Sequence, residues 1–361
     1  MNFAKYENSN ILYTDFNQTK DCIIFGTVTG FYVYTLEPFK KIIARKIPGG
    51  VSIVQMLYRS NIIIFTGNTN TGLYPNTKLI IWDDNCRGVI GEIEFKFQIL
   101  NLKITKNIII VVTKVKIYIY NFQNLELIRS IETVDNINGI CSITLNNDCL
   151  IAYPGSSIGE IHITKQNNDY LKIIKAHLSK IQLFNISNNG KYIVTCSEKG
   201  TLLRIYEIET GILYKEFRRG SDQTIIIDLK FSDDMKYLLC SSIKGTIHLF
   251  YTNINESNSN ESNSNESNSN ESNISIGYGL NMITDYLPKY FNSRWSFSQL
   301  YFDNIKTWSL INSDKETIIS IGHNGCYYSS KFNIEKSELI NSYKFISDEN
   351  DPFNNRTSTI K

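Results

Sequence analysis

Two adjacent arginines, in Phe217-Arg218-Arg219-Gly220, offer the clearest chemistry in the chain. They close one strand-rich segment just before the next, residues 224–231 (TIIIDLKF). In extended backbone successive side chains leave on opposite faces, so the pair cannot share one pocket and is placed to serve two anions. The guanidinium fork suits phosphate oxygens better than an ammonium does. Gly220 is expected to permit the turn that frees both side chains. Polar residues recur on either side. His177, Ser197, Thr201 and Arg204 precede Arg218; Ser241, Ser242, Lys244, Thr246 and His248 follow Arg219. Hydroxyls, an imidazole and one arginine per segment can cup a phosphorylated headgroup. The same hydroxyls can instead bond their local backbone, and an arginine pair at a strand end can be a solvated face.

No other catalytic or binding signature stands beside this one. There is no Walker loop, no GxGxxG and no HExxH. The four histidines (162, 177, 248 and 323) lack metal-ligand spacing. Catalytic residues, cofactor and metal are therefore expected to be none. The net charge of +2 gives no reason to expect nucleic acid as a partner. Seven cysteines without a CxxC read as buried, reduced thiols of a cytosolic protein. The first ten residues are polar, unlike a signal peptide, and no stretch nears the roughly 20 apolar residues of a membrane span. The abundance of Asn, Ile, Lys and Tyr looks like the imprint of an AT-rich genome.

The elements that must position the arginines are strands. Short β-branched and aromatic runs, such as residues 62–65 (IIIF), 78–82 (KLIIW) and 108–112 (IIIVV), are bounded by Gly, Asn, Asp or Ser, and helical periodicity is nearly absent. The runs repeat: residues 196–206 (CSEKGTLLRIY) return as 240–250 (CSSIKGTIHLF), with weaker relatives at 26–34 and 322–328. A period of roughly 40–45 residues with about four strands per unit predicts an all-β, WD40-like propeller of seven blades. The blades are placed near 8–50, 51–96, 97–137, 138–174, 175–217, 222–302 and 303–345, with the N-terminal strand closing the ring against the last blade. The propeller is assigned to residues 1–346 and a polar tail to 347–361.

One insertion, 252–294, interrupts blade six. Its NESNS repeat runs from Asn255 through Asn273 without an apolar residue and is expected to be disordered. Residues 274–291 differ. Leu280, Ile283, Leu287 and Phe291 recur at helical spacing, with Ile276, Tyr278, Met282 and Tyr286 nearby, before and around the stop at Pro288. Such a stretch can fold back on the propeller or insert shallowly into a bilayer.

Taken together, these segments resemble the PROPPIN family, the phosphoinositide-binding propellers of autophagy that include the WIPI proteins. The resemblance rests on Phe217–Gly220 and on residues 16–27, 30–34, 38–39, 51–59, 81–84, 152–155, 176–177, 197–201 and 287–297, in that order along nearly the whole chain. It implies a non-catalytic peripheral scaffold binding membranes that carry phosphatidylinositol 3-phosphate and the 3,5-bisphosphate. Carried over, Arg218 with His177, Ser197 and Thr201 forms one site. Arg219 with Ser241, Ser242 and Thr246 forms the other, where Asp222 and Gln223 stand at positions that carry a basic or imidazole group in some family members. The blade-six loop becomes the membrane-inserting element, centred on residues 276–291. Partners implied are a large autophagy lipid-transfer protein or the ubiquitin-like lipid-conjugation machinery, met through blades two and three, where Lys103 and Lys106 are basic. Such propellers are monomeric in solution. The implied location is the cytosol and the surface of autophagosome-precursor, endosomal or vacuolar membranes, or a plastid-like organelle if the host is apicomplexan. A soluble adaptor that never touches lipid is the alternative.

Overall fold

The computed structural model describes residues 10–69, 72–146, 149–167, 170–254, 294–313, 315–333 and 337–345. These form seven antiparallel sheets of four strands, spanning 11–46, 51–94, 99–132, 142–175, 181–218, 226–301 and 307–344, each with its strands in chain order from A to D. The expected seven-bladed propeller is the observed fold. The fifth sheet carries one addition: Arg294–Trp295 pairs in parallel with its outer strand, Phe217 opposite Arg294 and Arg218 opposite Trp295.

Middle strands are buried on both sides, as in Cys22–Thr27 and Ile108–Thr113, so each blade contributes an apolar layer to two neighbours. Between blades five and six this layer holds Val194, Cys196, Leu203, Ile205 and Phe217 against Leu238, Cys240 and Phe250. Between four and five it holds Ile161, Ile163 and Ile174 against Phe184, Ile193 and Tyr206.

Ring closure uses side chains. Among the described residues the first strand, Ile11–Phe16, belongs to blade one and no N-terminal strand joins the last sheet, which corrects the expected closure. Blade one instead packs on blade seven through Phe25, Tyr34 and Phe39 around Phe345, with ring centroids 5.0, 5.2 and 5.1 Å from it.

The seven inner strands surround an axial cavity of about 320 Å³ whose lining mixes apolar side chains with a cluster of charged ones. Asp15 accepts from Lys103 Nζ at 3.0 Å and from Gln55 Nε2 at 2.6 Å; Asp228 accepts from Lys230 Nζ at 3.2 Å and from the Ser309 amide at 2.9 Å. Burial pushes the Asp15 carboxyl up, but Lys103 and Lys230 outweigh it and hold it well below the usual range. Asp228 is raised, burial prevailing over Lys230. Lys103 is thus a channel residue and does not face a partner on the rim. Lys106 lies over the ring of Tyr58. Cys86 is exposed in a turn of blade two and Cys326 is half-buried; the other five cysteines are buried and all seven are free.

The closure seam carries a prediction. Phe345→Ala should cost about 3–5 kcal/mol, as for other large aromatic truncations in a core. A lowered urea midpoint would show it; an unchanged midpoint would mean that the ring closes without this contact.

Candidate anion-binding site

Blade five consists of strands A (Ile181–Ile186), B (Tyr192–Ser197), C (Leu202–Glu207) and D (Leu213–Arg218). Phe217 faces blade six. Strand alternation therefore turns Arg218 toward blade four. Arg219 turns back toward blade six, where its charge acts on His248 and lowers that imidazole's pKa. The two guanidinium groups diverge to opposite faces of one blade. Both residues are buried, at 8% and 7% exposure, so neither is a solvated surface arginine.

The first cleft lies between blades four and five. Ser197 shares its face with Thr195, whose hydroxyl donates to the Arg204 carbonyl at 3.2 Å. That leaves the Thr195 oxygen to accept from Nε2–H of His177 at 2.9 Å, which fixes the tautomer with Nδ1 as acceptor. Burial, helped by the Arg204 charge, pushes His177 down to about 4. Arg204 is not a free anion ligand. It pairs with Glu216 at 2.8 Å and donates to the Ala176 carbonyl at 2.7 Å, which anchors the loop bearing His177. Thr201 contributes differently from expectation. Ser197 lies opposite Leu202 on the neighbouring strand, following the register that sets Cys196 against Leu203. In blade six, Ser242 faces Thr246 by the same rule. The blade-five hairpin is one residue longer, so Leu202 takes the place of Thr246 and Thr201 sits in the turn, its carbonyl accepting the Arg219 amide at 2.9 Å.

The second cleft lies between blades five and six. Strands B (Tyr237–Ser242) and C (Thr246–Tyr251) of blade six turn Cys240 and Phe250 toward blade five, and Leu239, Ile247 and Leu249 toward blade seven. Ser242, Thr246 and His248 therefore join Arg219, with the two hydroxyls 2.7 Å apart. Ser241 lies on the opposite face, toward blade seven, and is not brought into this cleft. Arg219 donates Nε–H to the Gly200 carbonyl at 2.8 Å and an Nη2 hydrogen to the Asp222 carbonyl. Burial lowers the Arg219 pKa without threatening its charge. His248, absent from the site that the resemblance implies, belongs to this cleft. Its Nδ1 meets Ser296 Oγ at 3.1 Å, while Nε2 is buried with no hydrogen-bond partner among the described residues. Burial and then Arg219 push it down to about 4.

Gly220 is not where the backbone needs glycine. Its φ is not positive, and a Cβ added there meets nothing within 4 Å. The required glycine is Gly200, with φ +62° and a hypothetical Cβ 2.0 Å from the Thr224 carbonyl oxygen. The loops around both clefts expose Lys175, Lys180, Lys199, Lys244 and Lys306 against Glu198, Asp222 and Asp303, a net positive surround. The apolar residues assigned to membrane contact (Ile276, Tyr278, Leu280, Met282, Ile283, Tyr286, Leu287 and Phe291) lie outside the described residues, as does the NESNS repeat.

A family model described as PROPPIN matches residues 11–325. The chain belongs to the PROPPIN family. It is 35% identical over 244 residues to autophagy-related protein 18e of Arabidopsis thaliana, a match spanning 66% of this chain and 65% of that protein. The solved structure of Kluyveromyces lactis Hsv2 is similar with a TM-score of 0.75 at 25% identity, over 93% of this chain and 99% of that one. KlAtg21, solved in complex with the coiled coil of AgAtg16, shares the fold with a TM-score of 0.71 at 22% identity, over 93% of this chain and 99% of that one. This PROPPIN is thus an autophagy-related propeller of a non-enzymatic scaffold family.

Two predictions follow from the clefts. Gly220→Ala should leave stability within about 0.5 kcal/mol of wild type. Gly200→Ala should lower the unfolding midpoint clearly; equal midpoints would contradict the glycine assignment. His177 and His248 titrate near 4 when folded and at 6.5 when not, so between these values the unfolded chain holds more protons. Stability should therefore fall as pH drops from 6.5 to 4. The double variant His177→Gln/His248→Gln should flatten that slope in urea titrations; an unchanged slope would place the proton uptake elsewhere.

Proposed function

We propose that this PROPPIN is a membrane-recruited scaffold whose two clefts each take the phosphorylated headgroup of phosphatidylinositol 3-phosphate or the 3,5-bisphosphate. The observation that carries this reading is the divergence of two buried arginines into separate clefts. The first holds Arg218, His177 and Ser197, with Thr201 in the adjoining turn; the second holds Arg219, Ser242, Thr246 and His248. A buried guanidinium meets phosphate with charge-assisted, directional hydrogen bonds. The Nε2 of His248, without a partner among the described residues, adds a group that a phosphate oxygen can satisfy, since buried polar atoms are rarely left alone. Two modest sites on one rigid rim gain avidity from a shared membrane. The exposed lysines draw the rim toward anionic lipid, an attraction that salt screens. The insertion 252–294 adds a further contact in this reading.

The scaffold's partners are proposed from the family. KlAtg21 was solved with a coiled coil, so a coiled-coil component of the lipid-conjugation machinery is one candidate and a large lipid-transfer protein the other. The membranes are autophagosome precursors, endosomes or the vacuole.

Liposome flotation tests the lipid reading. Wild type should float with vesicles containing phosphatidylinositol 3-phosphate, less so as salt rises, and folded Arg218→Thr/Arg219→Thr should not. A wild type that ignores the lipid, or a double variant that floats equally well, would contradict the reading and favour the soluble adaptor.

A further inference from the structure

Four large apolar side chains stand exposed around the two clefts: Ile158 at 67%, Leu178 at 102%, Ile225 at 51% and Trp295 at 53%. Their placement is fixed by backbone contacts. Ile158 precedes Gly159, whose carbonyl accepts the amides of Ala176 at 2.8 Å and His177 at 3.1 Å; Leu178 comes next in the chain. These two border the first cleft on the blade-four side. Ile225 follows Thr224, whose amide reaches the Lys199 carbonyl at 3.3 Å, and its own carbonyl accepts the Ile243 amide at 2.9 Å. It therefore sits between the turns that carry the two clefts. Trp295 lies directly beside Arg218 in the short parallel ladder on the outer edge of blade five.

We infer that these four side chains form an apolar fence that seats the propeller body itself in the bilayer interface once a headgroup occupies a cleft. The inference rests on the lipid reading of the arginine clefts and adds to it a contact made by the rigid rim. Leu178, wholly exposed, is not packed against the described residues, and exposed apolar groups gathered at one place mark an interaction surface. The occupant is a membrane because the fence is continuous with the clefts and interleaved with exposed Lys180 and Lys199, the mixture of apolar and basic groups that partitions to an anionic interface. Tryptophan prefers the headgroup level of a bilayer, where its ring is half solvated. A headgroup phosphate held by Arg218 sets the depth of the lipid surface, and the neighbouring indole then lies at the bilayer interface.

The test compares wild type with Leu178→Ser/Ile225→Ser/Trp295→Ser, all three sites being exposed. Two titrations are read: vesicles of phosphatidylcholine with phosphatidylinositol 3-phosphate, and the water-soluble headgroup inositol 1,3-bisphosphate. Vesicle binding of the triple variant should weaken about tenfold or more, given the apolar area withdrawn, with headgroup affinity unchanged. Brominated lipids should quench the wild-type tryptophan fluorescence, and Trp295→Phe should abolish that quenching. Unchanged vesicle binding, absent quenching, or equal losses for vesicle and headgroup would each overturn the fence. A wild type that binds neither vesicle nor headgroup would instead overturn the lipid reading beneath it.

Discussion

A propeller blade cannot stand alone. Each sheet is apolar on both faces, so every blade needs two neighbours and the ring must close on itself. In this chain that demand consumes the middle strands almost entirely, and it leaves the first and last blades joined by a cluster of aromatic rings around Phe345. Chemistry is then confined to what the cores do not use: the strand ends, the turns and the axial channel.

The clefts exploit this confinement. Where the apolar layer between two blades runs out, alternation along the strands continues, so the residues that follow Phe217 are still dealt to opposite faces. Arg218 and Arg219 are the next two in that sequence. Each emerges at the end of a different seam, buried on one side by its own blade and on the other by a neighbour. Burial would make a lone guanidinium costly. Carbonyl groups of Gly200 and Asp222 offset part of that cost for Arg219.

Much of this was legible in the chain. Glycine-bounded runs of Ile, Val and Tyr sufficed for seven blades, and alternation alone separated the two arginines. The remainder was hidden for physical reasons. The resemblance put Thr201 in the first site as it put Thr246 in the second, but the blade-five hairpin is longer by one residue, a shift in register that pattern cannot show. Ser241 and Ser242 look alike in sequence, yet adjacent positions on a strand face opposite seams. Trp295 is remote from Arg218 along the chain, and only the annexed parallel strand brings it to the cleft. Lys103 reads as a surface lysine until Asp15 is found 3.0 Å away across the channel. Glycine at 220 suggested a tight turn where the backbone needs none; the space it leaves open is consistent with the approach of a ligand.

The central claim is that one blade serves two separate phosphate sites, each with its own arginine and its own histidine. Imidazole NMR signals test this directly, because His177 and His248 report on different clefts. On titration with inositol 1,3-bisphosphate both signals should shift; Arg218→Thr should silence His177 alone and Arg219→Thr should silence His248 alone. A single responding histidine, or a response lost from both with either variant, would contradict the two-cleft account.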